Sequence, residues 1–170
     1  MSDEKSLKWI ECDGGPHLIL EKRLVESWKA DSCESHYGKA CEIDDYIGLI
    51  SVADGYGIVI SEDVARSTWI SAEDHKGGYL AVWDYAEEGI SDNFIADKIR
   101  EAGEELFEST GIECPIQSSE LYLFAACDTE TDWIYGFLEF QIEPGIYAVD
   151  IIEKFSFHNC CFRIFKFRKK

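Results

Sequence analysis

Residues 45–60, DYIGLISVADGYGIVI, constrain the fold of this chain more than any other stretch. Two aliphatic, β-branched runs flank Asp54-Gly55-Tyr56-Gly57, and an Asp-Gly step suits a tight reversal. The pattern predicts an antiparallel hairpin. Similar short runs recur: TWIS around Trp69, GYLAVWDY at 78–85, ELYLFAACD at 120–128 and WIYGFLEFQI at 133–142. GIYAVDIIEKF at 145–155 and CCFRIFKFRKK at 160–170 complete the series. Pro144-Gly145 turns one run into the next. The C-terminal half therefore reads as an antiparallel meander. In the last run Phe162, Ile164, Phe165 and Phe167 alternate with Arg163, Lys166 and Arg168. That basic tail has two readings: an edge strand whose cations discourage edge pairing, or a strand docked on the protein's own acidic surface.

Helical periodicity is confined to two places. EKRLVESWKA, residues 21–30, puts Leu24, Val25 and Trp28 on one face and predicts a short amphipathic helix. DSCESHYGK, residues 31–39, reads as a polar loop. Residues 91–109, SDNFIADKIREAGEELFES, predict the one long helix, with Ser91 as N-cap and Asp92 in the first turn. Phe94, Ile95, Ile99, Ala102, Leu106 and Phe107 form its apolar stripe, which would pack on a sheet. The expected fold class is α+β and β-dominated: antiparallel sheets with one long and one short amphipathic helix. No repeat or linker composition interrupts the chain, so residues 1–170 are expected to form a single domain.

WIECDGGPHLIL, residues 9–20, poses a narrower question. An apolar segment at Trp9-Ile10 stops at Asp13-Gly14-Gly15-Pro16, and another begins at once with Leu18-Ile19-Leu20. Gly tolerates φ > 0, and Pro fixes its own φ while removing a donor, so the four residues are turn chemistry. Paired glycines would also let a ligand phosphate approach. Such a cradle wants a following helix and nearby cations, whereas here a proline and an apolar run follow.

Charge excludes one class of partner. Asp and Glu number 34 against 16 Lys and Arg, a formal net charge of −18. The last five residues hold four of the cations, so the remainder is more acidic still. Such a chain is unsuited to a nucleic-acid backbone and suited to basic partners, whose capture its field would speed. General solubility is the blander explanation of the same charge. No apolar run approaches the roughly 18 residues of a membrane helix. The polar start, MSDEKSLK, is no secretory signal, so cytoplasmic residence is expected.

Motifs of catalysis are not found. Cysteines 12, 33, 41, 114, 127, 160 and 161 are odd in number and include no C-x-x-C pair. Reduced thiols are expected, with no metal site and no cofactor. His17, His36, His75 and His158 share no spacing. Asp44-Asp45 would suit a metal only if adjacent side chains converged, and on a strand they point to opposite faces. No G-x-S-x-G, H-E-x-x-H, Walker or dinucleotide fingerprint is present.

The opening stretch resembles the start of the immunity protein 21 family. That family opens with a Trp, a short gap, Gly-Gly-Pro, an aliphatic run and a helix ending in Trp. Trp9, Gly14, Gly15, Pro16, Leu18 and Trp28 match that order. Ala40, Cys41, Ile43, Gly48, Ile50 and Val52 resemble its second segment, an A-C-x-[IV] start leading to a hairpin. GGYLAVWDYAEE is similar to its aromatic strand and acidic helix entry. LEFQIEPGIYAVD is similar to its closing strand, Pro-Gly turn and strand. The resemblance covers most of the chain and becomes architectural after Tyr85; residues 114–133 match nothing specific.

The resemblance implies a mostly β antitoxin, encoded beside a bacterial polymorphic toxin. It would neutralise its cognate toxin domain, a basic nuclease among the candidates, and would not be an enzyme. Its motif looks structural, so it supplies no recognition residues. Partner contacts are sought on loops, which carry binding residues more often than regular elements do. The candidates are Asp44, Asp45, Asp54, Glu87, Glu88, Asp128, Glu130 and Asp132, with Tyr56 and Trp133 as aromatic anchors. Two other classes stay open: a ligand-binding or regulatory β domain unrelated to toxins, and an enzyme using an Asp/Glu pair in a β cleft.

Overall fold

The computed structural model describes residues 6–32, 34–61 and 64–170. Within them the expected hairpin forms, from β3 (Ile47–Val52) and β4 (Gly55–Ile60). Ile47 pairs with Ile60 and Val52 with Gly55, so the reversal is Ala53-Asp54, slightly earlier than the glycines suggest. Ala53 takes φ 51° there. Tyr56 and Gly57 belong to the strand.

β1 (Ile10–Glu11) and β2 (His17–Glu21) flank the Gly-Gly-Pro turn but lie in different sheets. One sheet runs β1, β5 (Arg66–Ser71), β6 (Gly77–Ala86), β11 (Cys160–Lys169), β10 (Gly145–Phe157), β7 (Glu108–Ile116). The other runs β3, β4, β2, β8 (Glu120–Ala125), β9 (Phe137–Gln141), and every pairing in both is antiparallel. The turn at residues 13–16 is thus where the chain leaves one sheet for the other. Gly14 at φ 108° and Gly15 at φ 96° hold backbone conformations that L side chains rarely adopt.

The sheets stack through alternate residues. Ile19, Ile58, Leu80, Leu123, Val149 and Phe165 meet in the shared interior. Trp69 of β5 stacks on Phe140 of β9 with centroids 4.3 Å apart, joining the two sheets. The intervening residues face outward and need cover of their own. On the five-stranded sheet Leu18, Val59 and Phe124 pack against Leu24, Val25 and Trp28. On the six-stranded sheet Ala81, Phe162 and Ile164 pack against Ile95, Ala96 and Ile99.

Those covers differ from the sequence expectation. Residues 21–30 form a 3-10 helix at Lys22–Ser27 rather than an α-helix, yet Leu24, Val25 and Trp28 are buried as the pattern requires. The expected loop at 31–39 contains the start of α1 (His36–Cys41), capped by Ser35, which accepts from the Gly38 N–H at 3.4 Å. α2 (Asp92–Arg100) starts at the expected Ser91 cap but stops early. Gly103 adopts an extended conformation, a 3-10 turn follows at Glu104–Leu106, and residues 108–116 become β7. Glu108 and Ser109, expected at the end of the helix, pair with Ile151 and Asp150 of β10 instead. The expected stripe divides accordingly: Ile95 and Ile99 are buried, Phe94, Ala102 and Phe107 half-buried, and Leu106 is 48% exposed.

The C-terminal half is two hairpins in two sheets rather than one meander. β8 pairs β9, the chain crosses at Pro144-Gly145, and β10 pairs β11. Residues 133–136, expected in the strand, form the approach to β9. β11 is central, between β6 and β10, so its cations do not guard an edge. They dock on the protein's own acids: Lys166 on Glu104, Arg168 on Asp150, Lys169 on Glu143, Lys170 on Glu113. Among the described residues no helix is long and apolar enough to cross a membrane.

Candidate functional site

Glu21 closes β2 and ties it to two other parts of the chain. Its buried Oε1 accepts from Gln117 N at 3.1 Å, Ser118 N at 2.6 Å and Ser118 Oγ at 2.7 Å, fixing the β7–β8 turn. The same oxygen accepts from Arg23 Nε at 3.2 Å. Arg23 Nη1 in turn donates to Asp54 Oδ1 at 2.6 Å. Five residues on, Trp28 donates its indole N–H to the Ala126 carbonyl at 2.9 Å. Residues 22–30 are therefore clamped at both ends beside the end of β8.

A second clamp shapes the opposite wall, residues 126–137. Asp128 is 0% exposed, and its Oδ2 accepts from Tyr135 N at 2.9 Å. Burial pushes its carboxyl above the usual range, partly offset by the backbone donors of Tyr135 and Ile134. The sequence places Asp128 among the contact candidates. It instead lies beneath the loop it braces, with Oδ2 bound to the Tyr135 amide and Oδ1 buried without a hydrogen-bond partner among the described residues. Above it, Thr129 bridges to Asp132. Trp133 stands edge-on to Phe124, centroids 5.1 Å apart, and 4.9 Å from Phe137, which stacks on Tyr122 at 4.5 Å.

Two adjoining hollows lie between the walls. One, of about 420 Å³, is bordered by Glu26, Lys29, Asp31, Cys127, Glu130 and Asp132. The other, of about 400 Å³, has Tyr122, Trp133 and Phe137 along one side. Glu26 and Glu130 border both. Glu26, Asp31, Glu130 and Asp132 are exposed and form no ion pair among the described residues. The neighbouring cations are engaged: Lys22 with Glu139, Arg23 with Glu21 and Asp54, and Lys29 with the Glu26 carbonyl.

The remaining candidates lie apart. Asp44 and Asp45 are exposed between α1 and β3, Asp44 beside a hollow of about 360 Å³ near Gly15 and Pro16. Asp54 is exposed but tied to Arg23, which holds its carboxyl below the usual range. Tyr56 is 43% exposed on β4. Glu87 and Glu88 are exposed after β6, where Glu87 accepts from Asn159. The fold thus gathers Glu130, Asp132 and Trp133 and adds Glu26, Asp31, Tyr122 and Phe137, which sequence reasoning missed. For Glu26 a signal existed: it occupies the polar side of a segment whose apolar residues flank it.

His17 is the histidine with partners on both ring nitrogens. Nε2 lies 3.2 Å from Cys12 Sγ, and Nδ1 lies 2.6 Å from Ser67 Oγ. Burial lowers His17 to about 4 and raises the Cys12 thiol. At neutral pH both groups are uncharged, and the thiolate that nucleophilic chemistry requires is disfavoured. The trio ties the Gly-Gly-Pro turn to β5. Among the described residues no cluster of three or more His, Cys, Asp or Glu side chains is placed to hold a metal ion.

No curated protein matches this chain, and no solved structure does. The family model described as Immunity protein 21 matches residues 8–153.

Proposed function

The chain belongs to the immunity protein 21 family, and from that membership we propose that it binds and neutralises the cognate toxin domain of a bacterial polymorphic toxin system. It acts in the cytoplasm as a binding protein without catalysis of its own, as one domain, and blocks the toxin through an acidic surface. The match over residues 8–153 carries the reading. The net charge of −18 supports a basic toxin, with a nuclease active site as the natural target of an acidic inhibitor. The neutral state of the Cys12–His17 pair, in which His17 is buried and Cys12 half-buried, agrees with a non-catalytic role.

Growth of cells expressing the toxin domain encoded beside this gene tests the proposal. With this protein present the cells should survive. Death with both proteins folded and present rejects immunity and favours a β domain that serves a different ligand.

A further inference from the structure

We propose that the groove between residues 22–31 and 126–137 receives an arginine- or lysine-bearing segment of the toxin domain, an inference that rests on the immunity reading above. Two adjoining hollows, sharing Glu26 and Glu130, fit an extended segment better than a single compact ligand. Their carboxylates differ from most acids around the last strand, which the protein neutralises with its own cations. Glu26, Asp31, Glu130 and Asp132 form no ion pair among the described residues and stand ready for outside ones.

The aromatic side of the groove is compatible with the same chemistry. Lys22 Nζ sits 6.0 Å from the Tyr122 ring centroid, and Lys8 Nζ sits 5.6 Å from that of Phe137. These two faces are thus occupied by ammonium groups of this chain at cation–π range, which leaves Trp133 as the ring for an outside cation. Trp133 shares their cluster and is half-buried, leaving part of the indole available. Ile134, 67% exposed beside it, offers an apolar anchor.

Rigidity strengthens the site. The Trp28–Ala126 and Asp128–Tyr135 hydrogen bonds hold the two walls before any partner arrives. A preformed groove loses little conformational entropy on binding. The net charge of −18 attracts a basic segment from a distance, and the unpaired carboxylates orient it at contact.

A titration of the isotope-labelled full chain with hexa-arginine peptide, followed by NMR, tests the groove without the toxin. Shifts should concentrate at Glu26, Asp31 and residues 129–137. Glu130→Lys with Asp132→Lys should weaken the peptide by about tenfold, because like charges then face it. Glu105→Lys with Glu153→Lys, an equal charge change on other surfaces, should weaken it far less. Shifts centred elsewhere, or equal loss in both double variants, overturn the proposal. Melting temperatures near that of the parent establish that the exposed substitutions leave the fold intact.

The same variants then face the co-expressed toxin domain. Protection by the parent and by Glu105→Lys/Glu153→Lys, with loss in Glu130→Lys/Asp132→Lys, agrees with the groove. Full protection by every variant overturns the groove and leaves immunity standing. Failure of the parent itself rejects immunity, and with it the toxin segment as occupant, whatever the peptide does.

Discussion

Trp28 and Ala126 lie 98 positions apart, yet the Trp28 indole donates to the Ala126 carbonyl at 2.9 Å, and both residues are buried. The bond joins the 3-10 segment to the end of β8 and so sets the width of the groove. Trp28→Phe keeps most of the ring and strands the carbonyl. It should destabilise the protein by about 1–3 kcal/mol, the cost of a buried unsatisfied group. Urea denaturation reads this directly, and a midpoint equal to the parent's would show the bond to be dispensable.

The Gly-Gly-Pro turn should prove structural. An added Cβ meets nothing within 4 Å at Gly14, and only the Tyr37 hydroxyl at 3.7 Å at Gly15. Space is available, so the need for glycine is conformational. Gly14→Ala and Gly15→Ala should each cost on the order of 1 kcal/mol and retain protection against the toxin. Unchanged stability with lost protection would make the turn a recognition element.

His17 should make the fold acid-sensitive. Its folded pKa is lowered to about 4 from 6.5 by burial. The stability it contributes is therefore fully present above 6.5 and is lost as pH falls through about 4. The full effect is on the order of 3 kcal/mol. His17→Gln removes the titrating group, so its stability should vary less across that window. Parallel curves for variant and parent would count against this assignment.

Thiol labelling should follow burial. Cys12, Cys41, Cys114, Cys127, Cys160 and Cys161 are free, while Cys33 lies outside the described residues. Cys41 and Cys127 are exposed and should react with a maleimide before Cys114, whose thiol burial pushes up to about 12. Mass spectrometry of partly labelled protein gives the order. Early modification of Cys114 would mean that the sheet interior opens readily. A melting temperature that falls sharply on adding reductant would reveal a disulfide the fold depends on.

Association with the toxin domain should slow as salt rises, since exposed charges are screened beyond about 8 Å at physiological ionic strength. Glu130→Lys should mainly slow capture, whereas Trp133→Ala should mainly hasten release. Stopped-flow and dissociation kinetics separate the two. Salt-independent capture would keep immunity and discard electrostatic steering.

Local features were legible because local chemistry creates them. The β3–β4 hairpin follows from two apolar runs around a short break, although the reversal falls at Ala53-Asp54, the residue 13–16 turn from paired glycines, and the α2 start from Ser91. The immunity protein 21 resemblance was legible too, since Trp9, Gly14, Gly15, Pro16 and Trp28 stand in order along the chain. Tertiary structure decided what depends on neighbours distant in sequence. The helical pattern runs on to Ser109, yet α2 stops at Arg100, and Glu108 and Ser109 pair with β10 as the start of a strand. The basic tail looked fit for an edge, and pairing with both β6 and β10 makes it central. Asp54, Asp128 and Glu130 are all acids in turn-like stretches. The fold gives the first to Arg23, buries the second under backbone donors, and leaves the third facing Glu26 across a groove. A carboxylate's role depends on what surrounds it in space, and no window of sequence contains those surroundings.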